Sequence, residues 1–117
     1  MDFQTIMENI KKETGEVPKP LKLLGELNPD LVVEHITAKK KLMAKESLPA
    51  KYKSLILLAA AIALDSQACI LNNVKEARKN GATLEEIAEV YSLARFAKSS
   101  TTVSNFAPAL EWLLENK

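Results

Sequence analysis

The chain is poor in the residues that most directly advertise chemistry: one cysteine, one histidine, three glycines and 5% aromatic residues in 117 positions. A single cysteine excludes an internal disulfide and fits a reducing cytoplasm. One cysteine and one histidine do not make a three- or four-ligand metal site within a subunit, so no metal is expected. No glycine-rich phosphate loop is present, and no other cofactor is expected. Charge of one sign is not in excess either. Lys plus Arg number 16 against 15 Asp plus Glu, a net charge of +1 that gathers neither nucleic acid nor an anionic membrane. The basic stretch "KKKLMAK", Lys39 to Lys45, reads as a solvated helix face. The longest apolar run, Leu55 to Leu64, falls short of the ~20 residues that cross a bilayer. The opening "MDFQTIMENIKKE" lacks the charged-then-apolar order of a secretory signal, so export is not expected.

What is present is helical patterning, with glycine and proline falling between periodic segments and no sustained period-two alternation. An all-α fold of six to seven helices follows, in one domain spanning residues 1–117. A first helix runs from the N-cap Asp2 to Glu13, burying Phe3, Ile6, Met7 and Ile10 before Gly15 stops it. A short helix enters through Pro18 and Pro20. Asn28 and Pro29 start a third helix that ends near Ser47, with Leu31, His35, Ala38 and Leu42 as its inner stripe. Pro49 opens a fourth, apolar on every side from Leu55 to Leu64. Such a helix must be surrounded, and a chain this short has few elements to surround it, so a neighbouring subunit is expected to supply cover. The small Ala59, Ala60, Ala61 and Ala63 permit close approach.

A fifth helix begins around Ser66 and runs to Asn80, with Gly81 as its stop. "TLEE", Thr83 to Glu86, is a capping box. It starts a helix with the inward stripe Leu84, Ile87, Ala88, Tyr91 and Ala94, reaching Lys98. "SSTT" is expected to break it. A last helix, Val103 to Asn116, then buries Phe106, Leu110, Leu113 and Leu114.

The stretch "DSQACILNN" holds the one thiol. At ~100° per residue, Ser66, Cys69 and Asn73 share a sector of roughly 60° on one helix. A start near Ser66 sets Cys69 in the first turn, where free N–H groups and the helix dipole favour a thiolate. The competing reading is a small buried hydrophobe, a common fate for a free cysteine. His35 fits a core or interface histidine, and a His35–Cys69 pair would need the two to meet in space, within or between subunits.

From Pro49 to Glu111 the order of an apolar helix, the Cys69–Ile70 turn, "VKEARKNGATLEEIAEVYSLARF" and a final helix resembles the carboxymuconolactone decarboxylase superfamily, including the alkylhydroperoxidase AhpD-like proteins. "NGATLEEIAE", Asn80 to Glu89, is the most telling piece. Residues 49–111 would be the family core, with helices 2–47 added in front. The redox branch carries Cys-x-x-Cys, a histidine four residues on, and a glutamate twelve residues before the first cysteine. Carried over, the second cysteine falls on Cys69, the first on Ser66, the histidine on Asn73 and the glutamate on Ser54. The resemblance implies a thiol-dependent peroxidase (peroxiredoxin-type, antioxidant) or a decarboxylase, a homo-oligomer (trimer or hexamer), and a site at Ser54, Ser66, Cys69 and Asn73. With serine at 66 the internal disulfide of the dithiol mechanism is lost, and Asn73 departs from the histidine of the decarboxylase branch as well. The alternatives are a small-molecule-binding protein and a non-catalytic scaffold.

Overall fold

The computed structural model describes all 117 residues, as six helices and no strand. They divide into two compact units, Met1–Ser47 and Leu48–Lys117.

The first unit holds α1 (Phe3–Thr14), α2 (Lys19–Leu27) and α3 (Pro29–Ala44). The Asp2 carboxylate accepts the Thr5 N–H at 2.8 Å and Gly15 closes α1 in the left-handed region at φ 90°. Pro29 takes the first position of α3 after the Asn28 cap, where its missing N–H is harmless. Ile6, Val32 and Ile36 form the core, with Phe3, Met7, Ile10, Leu21 and Leu24 packed round it. Phe3 also explains Gly25: a Cβ there would stand 2.7 Å from the Phe3 ring. The expected stripe of α3 is displaced by one residue. Val32 and Ile36 face inward, whereas Leu31, His35, Ala38 and Leu42 are exposed. Both stripes have helical spacing, and packing rather than period chose between them.

The second unit holds α4 (Ala50–Ala63), α5 (Gln67–Lys79) and α6 (Leu84–Glu115). Two equivalent helix stops organise it. At the end of α4, Ser66 N–H bonds the Ala61 carbonyl at 3.0 Å and Asp65 N–H the Ile62 carbonyl at 3.2 Å. At the end of α5, Ala82 N–H bonds Ala77 at 2.9 Å and Gly81 N–H bonds Arg78 at 3.1 Å. Both are Schellman motifs, which need a left-handed residue. Gly81 supplies it at φ 91° and Asp65, unusually, at φ 57°. The core is thin: Leu58 is its one large side chain that is fully buried, and the other buried hydrophobic residues are Ala61, Ala77, Ala82 and Ala94. Alanines bring the helices close but contribute little apolar area.

Three expectations change here. The "SSTT" segment does not break the last helix; α6 runs unbroken for 32 residues. The hydroxyls of Thr101, Thr102 and Ser104 bond back to carbonyls four residues earlier, so they are satisfied within the helix. Of the inward stripe, Ala94 is buried and Ile87 half-buried, while Leu84, Ala88 and Tyr91 are exposed. Phe106, Leu110, Leu113 and Leu114 are exposed rather than buried, as is every residue from Arg95 to Lys117. Helix α4 is covered on one side only: Ser54, Leu58 and Ala61 are buried, whereas Ile56, Leu57 and Leu64 are exposed.

The start of α6 is locally fixed. The Thr83 hydroxyl accepts the Glu86 N–H at 3.1 Å, the Glu86 carboxylate accepts the Thr83 N–H at 2.9 Å, and Lys51 of α4 lies 3.1 Å from the same carboxylate. The Thr83 N–H, followed by Lys51, holds the Glu86 carboxyl below its ordinary 4.5. A depressed folded-state value stabilises above the unfolded value and is lost as pH falls through the folded one. The stability gap between wild type and Glu86→Gln, read from urea melts, is therefore expected to be full at pH 7 and to shrink steadily below pH 4.5. Gly81→Ala, which forces a side chain into the left-handed region, should lower stability by about 1 kcal/mol in the same assay.

Candidate functional site

The turn between α4 and α5 aims the chain's one thiol. Asp65 reverses the backbone, and Ser66 follows as the N-cap of α5 with its hydroxyl making no cap bond. Cys69 is then the third residue of the helix, free and exposed. It stands at the end of α5 where N–H groups outnumber their partners. The Asp65 carboxylate beside this turn is paired with Lys98 of α6. This pair ties the turn to the middle of the long helix across 33 residues of sequence.

The other expected positions are occupied structurally. Asn73 donates its side-chain amide to the Cys69 backbone carbonyl at 2.8 Å, one turn back on the same helix. Ser54, buried in α4, donates to the Ala50 carbonyl at 3.0 Å and accepts from the Asn80 amide at 2.8 Å. Asn80 caps the far end of α5. Eleven residues separate it from Cys69, so Ser54 lies roughly 16 Å along the helix from the thiol at 1.5 Å per residue. Ser66, Cys69 and Asn73 thus share one face of α5, and Ser54 stands at the opposite end of the hairpin. His35 is exposed on α3 of the first unit.

An open apolar groove runs along α5, lined by Gln67, Ala68, Ile70, Leu71 and Val74. The less exposed positions Ser66, Ile70 and Ala77 form one stripe along α5 and its cap. At ~100° per residue, Cys69 flanks this stripe on one edge and the groove flanks it on the other. The thiol therefore opens to solvent rather than into the groove.

Asn80 and Lys98 were not legible as partners of this region. Asn80 precedes a stop glycine, a placement that signals a helix end, and nothing local in the sequence marks its bond to a side chain 26 residues earlier.

Residues 32–112 of the chain match a sequence-family model described as the carboxymuconolactone decarboxylase family. The chain belongs to the carboxymuconolactone decarboxylase family. No curated protein matches it significantly. The family match begins inside α3 and takes in most of that helix. It ends at residue 112, within α6.

In this family member the Ser54–Asn80 bond should be measurable as a pair. Ser54→Ala leaves the Asn80 amide without that acceptor and is expected to lower stability by about 1 kcal/mol. Asn80→Ala should do the same, and the double variant should cost less than the sum, giving a coupling of about 0.5 kcal/mol or more in a double-mutant cycle.

Proposed function

We propose that this carboxymuconolactone decarboxylase family protein is a homo-oligomeric, AhpD-like cytoplasmic protein whose reactive group is the lone thiol of Cys69. The reading is carried by one observation: Cys69 is a free, exposed cysteine in the first turn of α5. Its reaction is peroxide reduction by a single cysteine. The thiolate attacks the terminal peroxide oxygen, the O–O bond breaks, and the hydroxyl passes to sulfur as a sulfenic acid. The leaving alkoxide takes a proton from water. Sulfur loses two electrons and the peroxide gains them. Two equivalents of an external thiol then restore Cys69, releasing water and leaving as a disulfide. Ser66 cannot form an internal disulfide, so the second thiol comes from outside the chain. Neither Ser66 nor Asn73 serves as a general base at neutral pH, and turnover is accordingly slow.

Assembly is supported by the exposed face of α4 and by the thin core of the second unit, which buries one large side chain completely. A trimer or hexamer is the form that the family resemblance suggests.

A second reading, a non-catalytic assembly unit, is favoured by Asn73 and Ser54, whose polar atoms are engaged in structural bonds. Peroxide treatment in the presence of dimedone separates the two. Under the first reading Cys69 is labelled stoichiometrically in the native protein, and slow thiol-dependent peroxide consumption disappears in Cys69→Ser. No labelling and no Cys69-dependent consumption select the second. Installing Ser66→Cys and Asn73→His together, on the face of α5 that carries Cys69, is expected to raise peroxide turnover at least tenfold. A folded double variant without that gain would overturn the assignment of Ser66 and Asn73 to a reactive site.

A further inference from the structure

Helix α6 changes its apolar face along its length. Its first half turns Ile87, Val90 and Ala94 toward the interior of the second unit. Beyond Ala94 that stripe continues as Lys98 and Thr101, which are exposed. A new stripe begins instead: Phe96, Val103, Phe106, Leu110, Leu113 and Leu114. At ~100° per residue these six fall within a sector of roughly 100°, centred on the side of the helix facing away from the first stripe. Phe96, Val103 and Leu110 recur every seven residues, and so do Phe106 and Leu113, which is the heptad spacing of a coiled-coil seam. All six are uncovered: Phe96 is 70%, Val103 74%, Phe106 56%, Leu110 39%, Leu113 51% and Leu114 55% exposed. Pro108 lies outside this sector, so the helical bond it forfeits leaves the seam intact.

We propose that this seam is the docking surface for the same seam of a second copy of the chain, paired antiparallel. The charges choose the orientation. From Ser99 to Leu110 the helix has none; Arg95 and Lys98 precede this stretch, and Glu111 and Glu115 follow it. Parallel pairing sets like charges abreast. Antiparallel pairing brings the basic end of one helix level with the acidic end of the other and opposes the helix dipoles. Centred between Ser104 and Asn105, it sets Phe96 beside Leu113 and Val103 beside Phe106 of the second copy. Lys98 already holds Asp65 within its own chain, so Arg95 is the freer cation at this end. The area suffices. Six such side chains at these exposures present on the order of 600 Å², so a two-fold contact removes about 1,200 Å² from water, the lower bound for a specific interface. The contact is isologous and closes on itself.

The inference rests on the assembly proposed above and names one contact within it. Sedimentation equilibrium of the full chain tests both. Val103→Lys with Leu110→Lys is expected to halve the mass at least, while Asn105→Lys, on the opposite side of α6, leaves it unchanged; circular dichroism should show equal helicity in all three. An unchanged mass in the folded seam variant overturns the seam and leaves assembly through α4 standing. A monomeric wild type at tens of micromolar overturns both, giving the seam to a different protein or to a lipid surface. Orientation is read in a Cys69→Ser background. Phe96→Cys mixed with Leu113→Cys should form a disulfide between the two variants, and Phe96→Cys alone should not pair with itself. Self-pairing of Phe96→Cys overturns the antiparallel arrangement.

Discussion

The second unit depends on the reversal at Asp65. A residue that is not glycine is held in the left-handed region, at a conformational cost of about 1 kcal/mol, because two helices need the chain to turn within three residues. The Schellman bonds to Ala61 and Ile62 satisfy carbonyls that α4 would otherwise leave open, and Lys98 restrains the side chain responsible. From that reversal follow the antiparallel course of α4 and α5, the meeting of Ser54 with Asn80 at the other end, and the place of Cys69 one turn beyond the bend. The thiol is aimed by backbone geometry rather than by a pocket.

The two ends of the hairpin differ in kind. At the Asp65 end, a charged pair on the surface and a free thiol meet solvent. At the Ser54 end, a buried hydroxyl and an amide complete each other, and no buried polar side-chain atom lacks a partner. In the redox branch that this chain resembles, the position of Ser54 carries a glutamate. The serine here is short enough to be satisfied inside the hairpin, where it holds α4 against α5 through Asn80.

Local signals were legible in the sequence wherever backbone chemistry decided the outcome. Asp2, Asn28, Ser66 and Thr83 begin helices, Gly15 and Gly81 end them, and the capping box at Thr83 has both of its bonds. Facing was less legible. On α3 the sequence offers two apolar stripes one residue apart, and only the packing of Ile6 against Val32 and Ile36 distinguishes them. "SSTT" read as a break because its hydroxyls compete for backbone bonds; in the helix they make those bonds to the preceding turn instead. The Ser66, Cys69 and Asn73 cluster follows from helical spacing alone. The separation of Ser54 from it does not, since that required knowing how far the antiparallel hairpin carries the chain.

The exposure of Cys69 has a consequence in time. A sulfenic acid formed on a thiol with a resolving cysteine beside it survives only as long as the neighbouring sulfur takes to attack. Ser66 stands where such a neighbour would be, and the chain holds no other thiol. Oxidised Cys69 would therefore persist for as long as the surrounding thiol pool allows, and its lifetime would report the reducing capacity of the solution rather than a rate built into the fold.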